Sequence, residues 1–132
     1  MTTKEQLAQS PSLQDELRRM QSGEPYDAHT PEMRAWRDEV KKLLHRLNTT
    51  EYHCENMAEI TREILPNAAP DIYVEPPFYC DYGNLIHTGE KVFINFGCII
   101  LDGAVVVNNI PDDSLAVGNP ARVVRKLNGT DI

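Results

Sequence analysis

The feature that most limits the fold of this chain is a six-residue period in its second half. Two sets of positions run side by side, one holding Ile86, Val92, Cys98 and Ala104, and the other, two positions later, Thr88, Ile94, Ile100 and Val106. Glycine, asparagine and aspartate fall between them. Such a period predicts a hexapeptide solenoid, a parallel β-helix in which each short strand forms one flat side. An ordinary β-hairpin with alternating apolar residues is the other interpretation that the spacing leaves open.

The first half of the chain has the pattern of α-helices. Thr30 precedes Pro31 and Glu32, which together supply a capping hydroxyl, a first-turn proline and an acid at the helix start. Apolar residues then recur at helical spacing and predict one long amphipathic helix: Met33, Trp36, Val40, Leu43, Leu44 and Leu47.

Two shorter helices flank this one in the prediction. Ser12, with Asp15 three residues later, predicts the start of the first, which ends at Gly23. The second contains Met57, Ile60 and Ile64 and stops before Pro66. We therefore expect an α+β fold, with a helical part at residues 1–66 and a β-helical part at residues 67–132.

Charge and composition exclude several classes of protein. The 132 residues carry a net charge of −7, from 13 basic and 20 acidic side chains. Nucleic acid is a poor partner for such a chain, because binding phosphates requires clustered lysine and arginine. No apolar run approaches the roughly 20 residues of a membrane-spanning helix, and the polar N-terminus lacks a signal core. We expect a cytoplasmic protein without a membrane partner.

The cysteines predict neither a disulfide framework nor a metal site. Cys54, Cys80 and Cys98 are odd in number, and no two of them have CxxC spacing. This pattern is typical of reduced thiols in a cytoplasmic protein. We expect no bound metal.

The basic residues near the end of the chain allow two interpretations. Arg122, Arg125 and Lys126 follow a Gly-Asn-Pro turn signal at 118–120. They can belong to a solvated terminal strand, or they can clamp the phosphates of an anionic cofactor, for which guanidinium groups are well suited.

Four segments of the chain resemble the maltose/galactoside O-acetyltransferases, the sugar acetyltransferases of the hexapeptide-repeat superfamily. They lie in that family's order and cover nearly the whole chain: residues 20–26 (MQSGEPY) with Pro31, Glu32, Met33 and Arg37; 75–83 (EPPFYCDYG); 92–102 (VFINFGCIILD); and 110–111 with 116–125 (AVGNPARVVR). The resemblance implies a helical cap on a left-handed β-helix. It also implies a trimer with active sites between neighbouring subunits.

The implied activity is transfer of an acetyl group from acetyl-CoA to a sugar hydroxyl. Carried over residue by residue, the family's acceptor contacts fall on six positions: Asp81, Asn95, Phe93, Asp102, Asp27 and Arg37. Carboxylates, an amide and an aromatic wall suit a sugar. The family's CoA-phosphate contacts fall on Arg122 and Arg125, which agrees with the phosphate-clamp interpretation.

The chain departs from the family at the catalytic base. In the family, a histidine in a Thr-x-x-His-Pro-like loop takes the proton from the sugar hydroxyl. The histidines of this chain are His29, His45, His53 and His87, and none is followed by proline. We therefore assign no catalytic residue. His87 fits a polar position on a solenoid edge.

The missing loop belongs to a larger gap. After residues 102–104 the chain passes directly to a segment resembling the family's last coil, so the β-helix is expected to be shortened internally. Two functions follow: a sugar O-acetyltransferase by descent, or a non-catalytic remnant that oligomerises or binds a partner. Uncovered apolar ends, including Ile94, Ile100 and Val106, lead us to expect a homo-oligomer.

Overall fold

The computed structural model of the chain describes residues 3–51, 55–103, 110–117 and 122–126, and for 55, 115, 117 and 122–126 the backbone alone. Predictions about His53, Cys54, Ala104, Val106 and the turn at 118–120 therefore lie outside the described residues.

Four helices form the first half of the fold. They are α1 (Lys4–Ala8), α2 (Pro11–Ser22), α3 (Pro31–Thr49) and α4 (Glu55–Ile64). The long helix and its start are confirmed, since the Thr30 hydroxyl accepts a hydrogen bond from the Met33 N–H at 3.2 Å. The predicted end at Gly23 is also confirmed, because that residue has φ = 77° and closes α2.

The predicted cap of the preceding helix is wrong by two residues. Ser10, and not Ser12, accepts a hydrogen bond from the Leu13 N–H, and Pro11 occupies the first helical position. Proline fits there because its missing N–H would have no partner in the first turn. Helix α1, capped by Thr3 and Gln6, was not predicted.

Six short strands follow the helices. They are β1 (Tyr73–Val74), β2 (Phe78–Cys80), β3 (Phe93–Ile94), β4 (Cys98–Ile100), β5 (Ser114–Val117) and β6 (Arg122–Lys126). The strands β1, β3 and β5 stack in parallel on one side, with β6 antiparallel to β5, and β2 and β4 stack in parallel on another. A parallel bridge joins Thr88 to Ile110. Between β1 and β5 the described chain thus forms parallel pairs on three sides, which argues against a hairpin in this segment.

The circuits are longer than three hexapeptides. Tyr73 pairs with Phe93, and Phe93 pairs in turn with Leu115, so each circuit contains more residues than three repeats supply. Residues spaced by six are instead placed on consecutive sides of one circuit, and Ile86, Val92 and Cys98 all point into the core. The period thus identifies inward positions but not the stacking register.

Apolar side chains of the helices and the circuits share one buried cluster. Ile94 and Ile100 belong to it, with 0% and 7% of their surfaces exposed, so the expectation that they form an uncovered column is wrong. The side chain of Asn48 links the two parts further: its amide donates to the Phe78 carbonyl and its carbonyl accepts from the Phe78 N–H, both at 2.9 Å. Helix α3 is thereby fixed to the start of β2.

Candidate functional site

The turn at residues 81–83, directly after β2, lies where the helices meet the circuits. The Asp102 carboxylate oxygen Oδ1 accepts hydrogen bonds from the backbone N–H groups of Asp81 and Tyr82, at 3.0 and 2.9 Å. The indole N–H of Trp36 donates to the Tyr82 carbonyl at 3.0 Å. Three parts of the chain that are distant in sequence therefore converge on this turn.

Arg37 fixes the side chain of Tyr82. Its Nη1 donates to the Tyr82 hydroxyl at 3.0 Å and to the Ala28 carbonyl at 2.7 Å, and its guanidinium lies 5.8 Å from the centre of the Tyr82 ring. Asp27 precedes Ala28 in the same loop, and its Oδ1 accepts from the His29 N–H at 2.8 Å. Arg37 and Asp27 thus make local structural contacts at the edge of the turn.

Asp81 belongs to the same turn, and its side chain differs from those of Arg37 and Asp27 in its contacts. Its carboxylate is half-buried and makes no hydrogen bond or ion pair with any described residue. It lies close over Gly103, where a Cβ would come within 3.3 Å of the Asp81 Oδ2. The backbone of Asp81 is fixed while its oxygens remain free for a ligand.

Asp102 is in a different environment from Asp81. Only 3% of its surface is exposed, and its Oδ2 has no hydrogen-bond partner in the part of the chain that the structure describes. Burial raises the pKa of the Asp102 carboxyl, although the N–H groups of Tyr82 and Asp81 oppose that shift. Burial also raises the pKa of Tyr82, and Arg37 opposes it.

The structure places Asn95 and Phe93 on another side of the circuits. Asn95 follows β3, where its N–H donates to the Ala116 carbonyl and its Oδ1 accepts from the Phe96 N–H, both at 2.9 Å. Its Nδ2 donates to no described residue. Phe93 stacks on Tyr73 with ring centres 5.0 Å apart. Within one chain, Asp81, Asp102 and Arg37 therefore lie at one turn, whereas Asn95 and Phe93 lie at β3. Asp27 is in the loop that Arg37 contacts at the Ala28 carbonyl.

The predicted phosphate-binding residues lie on β6. Arg122 is opposite Val117 and Arg125 is opposite Leu115 in the antiparallel pairing with β5. Their side chains lie outside the described part of the structure. The backbone therefore places both arginines on the strand that returns along β5, the last of the three parallel strands β1, β3 and β5.

The histidines whose structure is described are all at the surface: His29, His45 and His87. The His87 carbonyl accepts from the Ile110 N–H, which ties its backbone to the next circuit.

Sequence reasoning missed the roles of Trp36 and Tyr82. The helical period places Trp36 only on the apolar face of α3. Its buried indole N–H requires a partner, and that requirement was the available signal for a contact beyond the helix.

Residues 19–68 match the maltose acetyltransferase hexapeptide capping motif. A putative acetyltransferase of Saccharomyces cerevisiae is 38% identical over 117 residues, which make up 83% of this chain and 60% of that protein. The chain spans about half the length of the curated relatives it matches, with 60%, 52% and 45% of three of them covered.

The fold also matches solved structures. A maltose O-acetyltransferase from Clostridium difficile 630 superposes with a TM-score of 0.61 and 25% identity, covering 86% of this chain and 97% of the other. A hexapeptide-repeat acetyltransferase from Vibrio cholerae, solved with acetyl-CoA, gives 0.57 and 21%, with 86% and 98% covered, a likeness of fold alone. Capping motif, relatives and fold agree: the chain carries the maltose acetyltransferase capping motif and is similar in sequence and fold to hexapeptide-repeat acetyltransferases.

Proposed function

We propose that this chain serves acetyl-CoA-dependent O-acetylation of a sugar hydroxyl, binding the acceptor through Asp81 and Asn95 and the phosphates of CoA through Arg122 and Arg125. The observation that carries the proposal is the state of Asp81: its backbone is fixed at two N–H groups of the turn, and its carboxylate has no described partner. A fixed and unpaired carboxylate is suited to accept hydrogen bonds from a polyol.

Asn95 complements Asp81 chemically. Its Oδ1 is occupied by the Phe96 N–H, so its Nδ2 is left to donate to a sugar or acyl oxygen. Phe93 and Tyr73 form an aromatic pair on the same side as Asn95 and can support the apolar face of a sugar ring. Arg37 contributes by linking the Ala28 carbonyl to the Tyr82 hydroxyl, and Asp27 contributes through its contact with the His29 N–H in the same loop.

The two principal acceptor groups follow different sides of the circuits, Asp81 after β2 and Asn95 after β3. A site that uses both is most simply formed between chains. The proposal therefore includes a trimer of left-handed β-helices, as the family resemblance implies. Exposed apolar side chains on and beside the β2–β4 side support association: Tyr79 at 50%, Phe96 at 65% and Leu101 at 49% exposure.

Sedimentation tests the assembly. We expect a species about three times the 15.0 kDa of one chain. Tyr79→Glu is expected to shift the population toward the monomer, because it places a charge in the contact. Tyr26→Glu is the matched control, since Tyr26 is also exposed but lies in the loop after α2. A wild-type chain that sediments only as the monomer contradicts the assembly. Association without any binding of CoA supports the non-catalytic alternative.

The transfer itself is a balanced substitution. The sugar oxygen attacks the thioester carbonyl, a C–O bond forms, the C–S bond breaks and CoA leaves as its thiol. The hydroxyl proton must pass to a base, and the sequence has no histidine in a Thr-x-x-His-Pro-like loop. The chain by itself therefore supplies binding and orientation but no such base, and we expect no transfer above the uncatalysed rate.

Calorimetric titration with CoA tests the proposed binding of its phosphates by Arg122 and Arg125. The Arg122→Ala/Arg125→Ala variant is expected to bind CoA roughly 2–4 kcal/mol more weakly, at ~1–2 kcal/mol for each charge-assisted contact. Wild-type affinity should fall as salt is added, because the contacts are ionic.

Lys41→Ala/Lys42→Ala is the matched control, since it removes the same charge from the exposed face of α3. Equal affinity of the wild type and the arginine variant would reject the clamp. A wild-type chain that does not bind CoA would reject the proposed function.

A further inference from the structure

Asp102 differs from the other predicted acceptor residues in being almost fully buried, with 3% of its surface exposed. A sugar hydroxyl cannot reach a carboxylate at that depth without displacing the turn above it. Its contacts instead lead to the backbone of that turn.

We propose that Asp102 is a positioning residue that aims the Asp81 carboxylate at the acceptor by holding the backbone N–H groups of Asp81 and Tyr82, and that it does not itself contact the sugar. The inference rests on the proposed function, because it assigns a role within the same acceptor site.

The hydrogen-bond geometry carries the first step. One oxygen of Asp102 receives two consecutive N–H groups from the preceding circuit, 21 and 20 residues earlier in the chain. The two bonds to one carboxylate hold the two peptide planes that flank the Asp81 Cα, those of residues 80–81 and 81–82. The direction of the Asp81 Cα–Cβ bond is then set by these two planes.

The surroundings of Asp81 carry the second step. Its carboxylate makes no hydrogen bond or ion pair with a described residue, so its direction depends on the backbone that carries it. The opposite side of the turn is held from the helices, through Trp36 at the Tyr82 carbonyl and Arg37 at the Tyr82 hydroxyl. Asp102 supplies the matching restraint from the circuits.

The burial of the Asp102 carboxylate is unfavourable for folding, which supports a specific role for this residue. Its Oδ2 is buried and has no hydrogen-bond partner among the described residues. Such a group opposes folding unless its other contacts offset the desolvation. Burial also raises the pKa of this carboxyl. An asparagine would retain an acceptor for the two N–H groups without the buried charge, which makes it the informative substitution.

The test is a double-mutant cycle with maltose as the probe, titrated by ligand-observed NMR. We expect Asp102→Ala to weaken maltose binding about 10-fold or more, as Asp81→Ala does. The double variant should bind no more weakly than Asp81→Ala alone, since Asp102 acts through Asp81. Asp102→Asn should stay within about 3-fold of the wild type, because its side-chain carbonyl can accept both N–H groups.

CoA affinity is the internal control and should be unchanged in all four variants, which a general loss of structure would not allow. Losses that multiply in the double variant would overturn the inference, since they would indicate an independent contact between Asp102 and the sugar. A loss in Asp102→Asn as large as in Asp102→Ala would overturn it as well.

Amide hydrogen exchange separates this inference from the proposed function. In Asp102→Ala, exchange at the N–H groups of Asp81 and Tyr82 should accelerate about 10- to 100-fold, while Asp102→Asn keeps them protected. The Glu75 N–H, which donates to the Ile94 carbonyl, reports whether the fold is intact and should not change. If the wild type does not bind maltose, the acceptor proposal fails, and unchanged exchange at Asp81 and Tyr82 overturns the positioning role on its own.

Discussion

The purified 132-residue chain is expected to release CoA from acetyl-CoA no faster than buffer does, in the presence of maltose, glucose or a galactoside. A sugar hydroxyl is a weak nucleophile at neutral pH, and a positioned general base typically contributes roughly 10²–10⁴-fold to the rate. The described histidines, His29, His45 and His87, are all exposed, and none lies in a loop like that of the family's base. Binding the two substrates side by side adds only proximity, which is effective when their reacting atoms are aligned.

A thiol-release assay measures this rate, with and without sugar. His87→Ala and His45→Ala form the matched pair, since both histidines are exposed but only His87 lies among the circuits. Sugar-dependent release that disappears in His87→Ala and persists in His45→Ala would contradict the prediction and make His87 the base.

The stacking of the strands gives a physical reason why the proposed binding groups could be retained without the family's catalytic base. Strand β3 pairs directly with β5, so the segment resembling the family's last coil lies on the level next to the first. The acceptor groups proposed here, Asp81 and Asn95, precede this junction, and Arg122 and Arg125 follow it. The family's base belongs to coils that would lie between them. By resemblance, shortening at this point would retain both proposed binding regions and omit the family's base.

Local signals in the sequence predicted much of the helical part. The Thr30 cap, the end at Gly23 and the last helix, which stops before Pro66, are determined by residues within a few positions of each other. The start of α2 was misplaced because Ser10 and Ser12 flank Pro11, and both have a capping hydroxyl. Helix α1 was missed because its five residues are too few to show an apolar period.

The long-range pairings could not be predicted in the same way. A six-residue period identifies which side chains point inward, but the pairing of Tyr73 with Phe93 and of Phe93 with Leu115 depends on turn lengths that the period does not encode. The antiparallel return of β6 is likewise a tertiary feature. Resemblance selected Asp81 and Asn95, whose availability the structure supports. It also selected Asp102, whose commitment to the backbone of the turn at 81–83 requires a contact between successive circuits.

Gly83→Ala is expected to lower the free energy of unfolding by roughly 2–5 kcal/mol, from ~1–2 kcal/mol of left-handed backbone strain and ~1–3 kcal/mol of steric conflict. Gly83 has φ = 78°, and a Cβ there would collide with the carbonyl oxygen of Ile64 at the end of α4. Relief of that conflict must separate α4 from the turn that carries Asp81, so acceptor binding should weaken as well.

Gly97→Ala is the matched control for this collision. Gly97 has φ = 80°, and a Cβ at that position meets no heavy atom within 4 Å, so only the backbone strain applies. Urea unfolding at one protein concentration measures both variants, because the proposed association would make stability depend on concentration. Equal losses of unfolding free energy in Gly83→Ala and Gly97→Ala would mean that the backbones of the turn and α4 can move apart without a measurable loss of stability. A larger loss in Gly83→Ala, accompanied by weaker maltose binding, would indicate that the helical part holds the acceptor turn in place through the close approach of these two backbones.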